Sequence, residues 1–297
     1  MPDDEGLEEV VGAARLLRTA DGRALHYRRL APRTRAAARG PVVLWEAGMG
    51  TPGLVWSPLH AAVAERAPSI LYDRAGLGRS DRDPEPRTLA RLADDLARLI
   101  DGATNGPVVL VGHSWGGPVA RVAAALRPGR VAGMVLVDPS DEHLDLPVAR
   151  GGRRRMLQRA MGSLAMRSRL RAAARGSYPL PAPVARAVRA QALGRDAERA
   201  EAAEFAHFRS GLQELRSTPP DLDGIPVTLI SGTRPARSAR ARTRREAMVA
   251  AHERTAAEHP PIRFVRAERS GHLVPLTEPE LVLAEVGRLL DRLADRR

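Results

Sequence analysis

A serine hydroxyl and a histidine imidazole stand in settings that could make them react together. Ser114 lies in Val108-Val-Leu-Val-Gly-His-Ser-Trp-Gly-Gly117, where an apolar run meets a Gly-x-Ser-x-Gly turn. The continuation, Pro118-Val-Ala-Arg-Val-Ala-Ala-Ala-Leu126, is helical in composition and stops at Pro128-Gly129. A strand, turn and helix in this order force the serine into a strained backbone region above the sheet edge. The helix N-terminus beneath it favours developing negative charge. Gly112 and Gly116 are expected where strand and helix crowd and a Cβ would clash. A serine hydroxyl is a poor nucleophile at neutral pH; it needs a base in hydrogen-bond reach and a third group to orient that base. Among the eight histidines, His272 suits this task. It follows Ser270-Gly271 in the loop between the last expected strand and the last expected helix, and Gly271 lets the backbone bend there. His26 falls in a hairpin, His60 in a helix, His143 beside an insertion, His207 and His252 in polar helical stretches, and His259 in a loop. His113 adjoins Ser114, but its side chain is expected to point away.

The elements that must hold this pair follow from periodicity. Ala14–Thr19 and Arg23–Arg28 flank an Asp21-Gly22 turn and read as an antiparallel hairpin, after a loose leader over residues 1–12. A polar loop (31–40) precedes the buried strand Pro41–Trp45 and the Gly-rich stretch Glu46–Gly50. Ser57-Pro58 gives an N-cap and first-turn proline for a helix to about Ala67. Ser69–Tyr72 is the next strand, and a tight loop, Asp73–Ser80, follows. Thr88 caps a helix with Leu89, Leu92, Leu96 and Leu99 on one face. Val131–Val137 is a strand ending at Asp138-Pro139. Strand and helix in alternation with short connections mean a parallel sheet covered on both faces, whose ligands bind beyond the carboxyl ends of the strands. Near Asp141 the pattern breaks into Arg- and Ala-rich helices, interrupted at Gly176–Pro183. It resumes with Ile225–Ser231, Ile262–Val265 and a closing helix from Thr277 to about Leu293. Residues 1–140 and 221–297 therefore form one α/β core, and 141–220 an inserted helical cap.

The composition narrows the partners. The chain has 297 residues and a 43% apolar fraction, enough for a substantial core, with no apolar run of membrane-spanning length. The net charge is +12, and all 47 basic residues are Arg. From Leu146 to Arg195 there are 12 Arg and no Asp or Glu, which equals the whole excess. Such a block can attract an anionic substrate or remain a solvated face. Nucleic acid is not expected, because no binding motif is present and aromatic residues are only 3%. The absence of cysteine excludes disulfides and a thiol nucleophile. The acidic start, Met1–Glu9, lacks the basic and apolar regions of a signal peptide, so a cytoplasmic location is expected.

Together, Gly-His-Ser114-Trp-Gly-Gly, the upstream Asp73-Arg-Ala-Gly-Leu-Gly-Arg-Ser-Asp81 and Ser-Gly-His272 resemble the α/β-hydrolase superfamily. The likeness is to its capped members, among them esterases, lactonases and non-metal haloperoxidases. It covers about residues 13–140 and 222–295. It implies a mostly parallel sheet with helices on both faces and acyl transfer through an acyl-enzyme on Ser114, with no metal and no organic cofactor. The family usually places the acid after the penultimate strand. Here that stretch, Gly232–Arg245, has six Arg and no carboxylate. Some members place the acid one strand earlier, which points to Asp138, with Asp141 and Glu142 as alternatives and Glu246 behind them. Backbone N–H groups of Met49 and Trp115 are the expected oxyanion donors. Gly48 and Trp56 are expected to border the substrate, although Trp56 and Trp115 could instead pack beneath the pocket. Many members carry His-Gly where this chain has Ala47-Gly48 preceded by Glu46, and Glu46 is a candidate partner for Arg74. Asp73 reads as a structural loop residue and Trp45 as sheet core. The expected reaction is cleavage of an ester, lactone or thioester of a small-to-medium, possibly anionic molecule; the alternative is an acyltransferase, lyase or binding protein on the same fold. The sequence does not specify an oligomeric state. All of this requires Ser114 and His272 to converge over the carboxyl edge of one sheet.

Overall fold

The computed structural model describes residues 6–144, 180–192, 194–222, 224–258 and 262–295. Eight strands form one sheet: β1 (Ala13–Arg18), β2 (Ala24–Leu30), β3 (Val42–Glu46), β4 (Ser69–Tyr72), β5 (Val108–His113), β6 (Val131–Val137), β7 (Val227–Gly232) and β8 (Ile262–Ala267). Their order is β1-β2-β4-β3-β5-β6-β7-β8. The hairpin β1–β2 and the β2–β4 contact are antiparallel, and every other pairing is parallel. β3 and β5 are buried along most of their length, as expected of strands covered on both faces.

Successive residues of a strand point to opposite faces, and this alternation divides the core into two layers. Leu44, Leu110 and Leu136 meet α4 (Leu89–Ala103) and α5 (Gly116–Ala125) on one side. On the other, Val43, Trp45, Val109, Val111 and Val135 meet α1 (Leu7–Val11), α3 (Ser57–Val63) and α10 (Pro279–Ala294). The Leu89, Leu92, Leu96 and Leu99 stripe of α4 is buried as its spacing predicts, and Thr88 caps the helix by accepting from the Arg91 N–H.

Some local expectations are corrected. Residues 7–11 are not a loose leader. They form α1, with Leu7 and Val11 buried against α3 and the sheet; burying two such side chains contributes about 3–6 kcal/mol. Ser57 is the first residue of α3 rather than its cap; a 3₁₀ turn (Gly53–Trp56) leads into that helix, which ends at Val63 instead of Ala67. The polar loop after β2 includes a short helix, α2 (Arg35–Ala38). A short helix, α9 (Val274–Thr277), precedes the closing helix α10, which starts at Pro279 rather than Thr277.

Between β6 and β7 the described chain is helical: α6 (Ala182–Ala192) and α7 (Arg195–Ser217). Val184, Val188 and Ala192 of α6 join the layer of α1 and α3, while Leu212 and Leu215 of α7 join the layer of α4. Most of the Arg-rich block, from 146 to 179, and His259 lie outside the described residues. After β7 comes α8 (Ala239–Glu258). None of the described helices is long and apolar enough to cross a membrane.

Candidate active site

Ser114 follows the last residue of β5 with φ 55°, and Asp138 follows the last residue of β6 with φ 41°. Among the described residues these are the two non-glycine positions with positive φ. Such backbone is costly and persists only where its surroundings impose it. Here the surroundings are two adjacent parallel strands in register, His113 opposite Val137. The Ser114 N–H donates to the Val137 carbonyl (3.2 Å), and the Ser114 carbonyl accepts from Gly117 (3.0 Å) and Ser140 (2.9 Å). The Asp138 N–H donates to the Ile230 carbonyl of β7 (2.7 Å). The two residues thus stand side by side at the carboxyl edge.

The glycines of the turn are needed for space. A Cβ on Gly112 would lie 2.6 Å from the Gly116 carbonyl oxygen, and one on Gly116 would lie 2.6 Å from that of Ala47. Where the His272 loop packs on β7, the tight position is Gly232 of β7 rather than Gly271. A Cβ on Gly232 would sit 1.9 Å from the Gly271 carbonyl oxygen, whereas Gly271 has open space around it.

His272 reaches the same edge from the loop after β8. Its Nδ1–H donates to Asp138 Oδ2 at 2.7 Å. The other carboxylate oxygen, Oδ1, accepts from the Gly232 N–H (2.9 Å) and from Arg245 Nη1 of α8 (2.5 Å). Burial alone would raise the Asp138 carboxyl, but the His272 hydrogen bond and the His272 and Arg245 charges outweigh it and hold the group well below the ordinary carboxylate range. Two of the other candidate carboxylates are engaged elsewhere: Asp141 accepts from Thr255 and the His143 N–H, and Glu142 forms a two-point pair with Arg121. Arg245 comes from the segment that the sequence shows to lack an acid; its pairing with Asp138, 107 residues away, has no local signal.

His113 is turned to the His272 loop. Its Nε2–H donates to the His272 carbonyl (2.8 Å), and the two imidazole rings lie 4.8 Å apart, centroid to centroid. Enclosure of the ring, with His272 beside it, pushes His113 down to about 3. Trp56 sits one layer back. It is buried between Trp45 (4.9 Å between centroids) and the edge of the His113 ring (6.2 Å), not at the lip of a pocket. Trp115 is likewise buried, packed on Phe208 of α7. Gly48 does border the site: a Cβ there would lie 3.4 Å from Ser114 Cβ. Another Ser/His pair, Ser231 and His252, is fully buried; Ser231 donates to Nδ1, and Nε2–H donates to the Pro139 carbonyl next to Asp138.

Asp73 is structural: it accepts from the Gly53 and Arg79 N–H groups and pairs with His26. Glu46 is buried against Arg74 and the Tyr72 hydroxyl, and its burial pushes its carboxyl up against the pull of Arg74. Among the described residues, no group of three or more His, Asp or Glu side chains is arranged to ligate a metal.

Proteins of known structure share this fold. A thermophilic esterase from Thermogutta terrifontis superposes with a TM-score of 0.68 over 95% of this chain and 99% of that one, at 24% identity. The enol-lactonase of Burkholderia xenovorans gives 0.67 over 93% and 100%, at 19% identity. Lipase LipV of Mycobacterium tuberculosis is 40% identical over 117 residues, 39% of this chain and 42% of that protein. The chain spans 37% to 47% of the length of several curated relatives that it matches. The structural likenesses, below 25% identity, speak for the fold alone. Residues 42–285 match the model of the alpha/beta hydrolase family, and this chain is a member of that family.

Proposed function

We propose that the protein is a serine hydrolase that cleaves an ester, lactone or thioester bond of a small-to-medium organic molecule. One observation carries the reading: the His272 imidazole, held through Nδ1 by the buried Asp138, packs against His113, the residue that leads into the strained Ser114. With Nδ1–H committed to Asp138, Nε2 is the nitrogen left to take the Ser114 proton. The Ser114 oxygen then attacks the substrate carbonyl carbon. The N–H groups of Met49 and Trp115 receive the developing oxyanion, Trp115 being the N-cap residue of α5. The imidazolium returns its proton to the leaving alkoxide or thiolate. Water, activated by His272, then releases the acyl group from Ser114. Asp138 keeps the required tautomer and stabilises the imidazolium.

The helices between β6 and β7 act as a cap over this edge and select the acyl group. Arg234, Arg237, Arg240, Arg242 and Arg244 are exposed just after β7 and favour an anionic substrate. An epoxide hydrolase, CorEH, shares the fold (TM-score 0.68, 20% identity). A serine rather than an aspartate at position 114 favours acyl chemistry over that of carboxylate-nucleophile enzymes. A fluorophosphonate probe should label the wild type and not Ser114→Ala, and turnover of p-nitrophenyl esters and lactones should fall about 10⁶-fold in that variant. Undiminished turnover in Ser114→Ala would refute the reading. Acyl transfer to an alcohol in place of water would appear as a second product in the same assay. Preference for anionic esters should weaken with added salt.

A further inference from the structure

A second polar centre lies behind the strained edge and takes no part in the steps above. Arg74, 2% exposed, has five N–H donors and uses all of them. Nη1 donates to the Ala47 carbonyl (2.6 Å) and to Glu46. Nη2 donates to the Gly48 carbonyl (2.7 Å) and to Glu204 Oε2 (2.9 Å), and Nε donates to Glu204 Oε1 (3.0 Å). Glu204 belongs to α7, the inserted helix, and also accepts from Arg87 (2.6 Å) and the Gly50 N–H (3.2 Å). Burial would raise the Glu204 carboxyl, but Arg74 and Arg87 hold it below its ordinary range, so it stands charged. Two arginines, Arg74 and Arg87, and two carboxylates, Glu46 and Glu204, are thus buried around one stretch of backbone, Glu46 to Gly50.

That stretch includes the Gly48–Met49 peptide. In a planar trans peptide the C=O and the N–H point in opposite directions. With its carbonyl turned toward Arg74, this peptide turns the Met49 N–H away from Arg74. Gly48 stands on the Ser114 side: a Cβ there would be 3.4 Å from Ser114 Cβ and 3.3 Å from His113 Nδ1. The Gly48 carbonyl also accepts from the Thr51 N–H (3.2 Å), and the missing Cβ of Gly48 leaves the peptide its conformational freedom on that side, which Arg74 restricts. Gly50 is also pressed against α7, where a Cβ would meet Glu201 Cβ at 2.5 Å.

We propose that Arg74 is a positioning residue for the oxyanion-binding peptide Gly48–Met49, and that Glu204 makes this positioning depend on the seating of α7. The proposal rests on the serine-hydrolase reading. It predicts a loss of transition-state stabilisation with little change in ground-state binding.

The test uses the full chain with Arg74→Lys and Glu204→Gln. An ammonium cannot span two carbonyls and two carboxylates as the planar guanidinium does. Glutamine keeps the shape of Glu204 and removes its charge. Each variant is assayed with p-nitrophenyl acetate, with kcat normalised to sites titrated by fluorophosphonate. Phenylboronic acid, which forms a tetrahedral adduct on an active serine, reports the oxyanion site directly, and a thermal melt reports folding. The expected result is a fall in kcat of about 10²-fold for Arg74→Lys and about tenfold for Glu204→Gln, with KM within about threefold and boronate Kd rising in parallel. A purely structural role would lower Tm and leave kcat per titrated site and boronate affinity within twofold of wild type; that result overturns the proposal. Should Arg74→Lys fail to fold, Glu204→Gln decides by the same two readouts. A wild type that forms no Ser114-dependent boronate adduct would sink the hydrolase reading itself, whereas unchanged adducts in the variants remove only Arg74.

Discussion

Replacing Asp138 by Asn should disable the enzyme by forcing His272 into the wrong tautomer. Asp138 Oδ1 accepts from two donors, the Gly232 N–H at 2.9 Å and Arg245 at 2.5 Å, while Oδ2 accepts from the His272 Nδ1–H at 2.7 Å. An asparagine has one acceptor oxygen and one NH₂ group at these places. If the NH₂ faced Gly232 and Arg245, two donors would oppose it. The oxygen therefore stays on that side and the NH₂ faces His272. The ring must then accept at Nδ1 and carry its proton on Nε2, where it cannot take the Ser114 proton. A serine-protease triad with this change loses about 10⁴ in kcat, which corresponds to about 5.5 kcal/mol. The assay is p-nitrophenyl ester turnover beside a thermal melt. The double variant Asp138→Asn/Arg245→Met leaves one opposing donor in place of two, so the amide can turn over more readily; about tenfold of the lost rate should return, for roughly 1.4 kcal/mol. A rate for Asp138→Asn within tenfold of wild type would refute the tautomer argument and remove Asp138 from the relay.

Three further outcomes are expected. Ser69 accepts from Trp45 Nε1 (2.8 Å) and donates to His60 Nδ1 (2.7 Å), so Ser69→Ala strands two buried polar atoms and should cost on the order of 2–4 kcal/mol in urea unfolding; a loss below 0.5 kcal/mol would contradict this. His60 and His113 are pushed down to about 4 and about 3 from 6.5 by burial, so between pH 6.5 and 4 the unfolded chain binds more protons than the folded one. Their stabilisation is complete above pH 6.5 and is lost as pH falls through the folded values, about 3 kcal/mol for His60; a Tm unchanged from pH 6.5 to 4 would count against it. Gly116→Ala places a Cβ within 2.7 Å of the Ala47 and Glu46 carbonyl oxygens, so it should destabilise the chain by about 1–3 kcal/mol and lower kcat at least tenfold by displacing the Met49 loop; wild-type kcat with wild-type stability would show that the loop has room.

Position along the chain was enough to place Ser114. A buried strand, two crowded glycines and a helix are contiguous, and a positive φ at the serine follows from local sterics. The layer pattern was equally legible, because alternation and helical spacing are local properties of β3, β5 and α4. His272 and Asp138 could be named from their places at strand ends and from the family resemblance; their side chains meet at 2.7 Å.

Other features needed the folded chain, because their partners are far apart in sequence and of unremarkable type. One arginine among 47 pairs with Asp138, and another gathers two carboxylates and two carbonyls from two segments. Trp56 is expected from its position to border the substrate, and only the fold buries it, with Trp115, in the packing. Leu7 and Val11 looked like a loose leader because α1 is too short to show a periodicity, and only the cleft beside α3 and the sheet gives them apolar neighbours. Composition and spacing determined which residues could react and along which edge. Tertiary packing decided which charges surround them, because the partner of a buried charge is chosen by distance in space and leaves no mark in its own stretch of sequence.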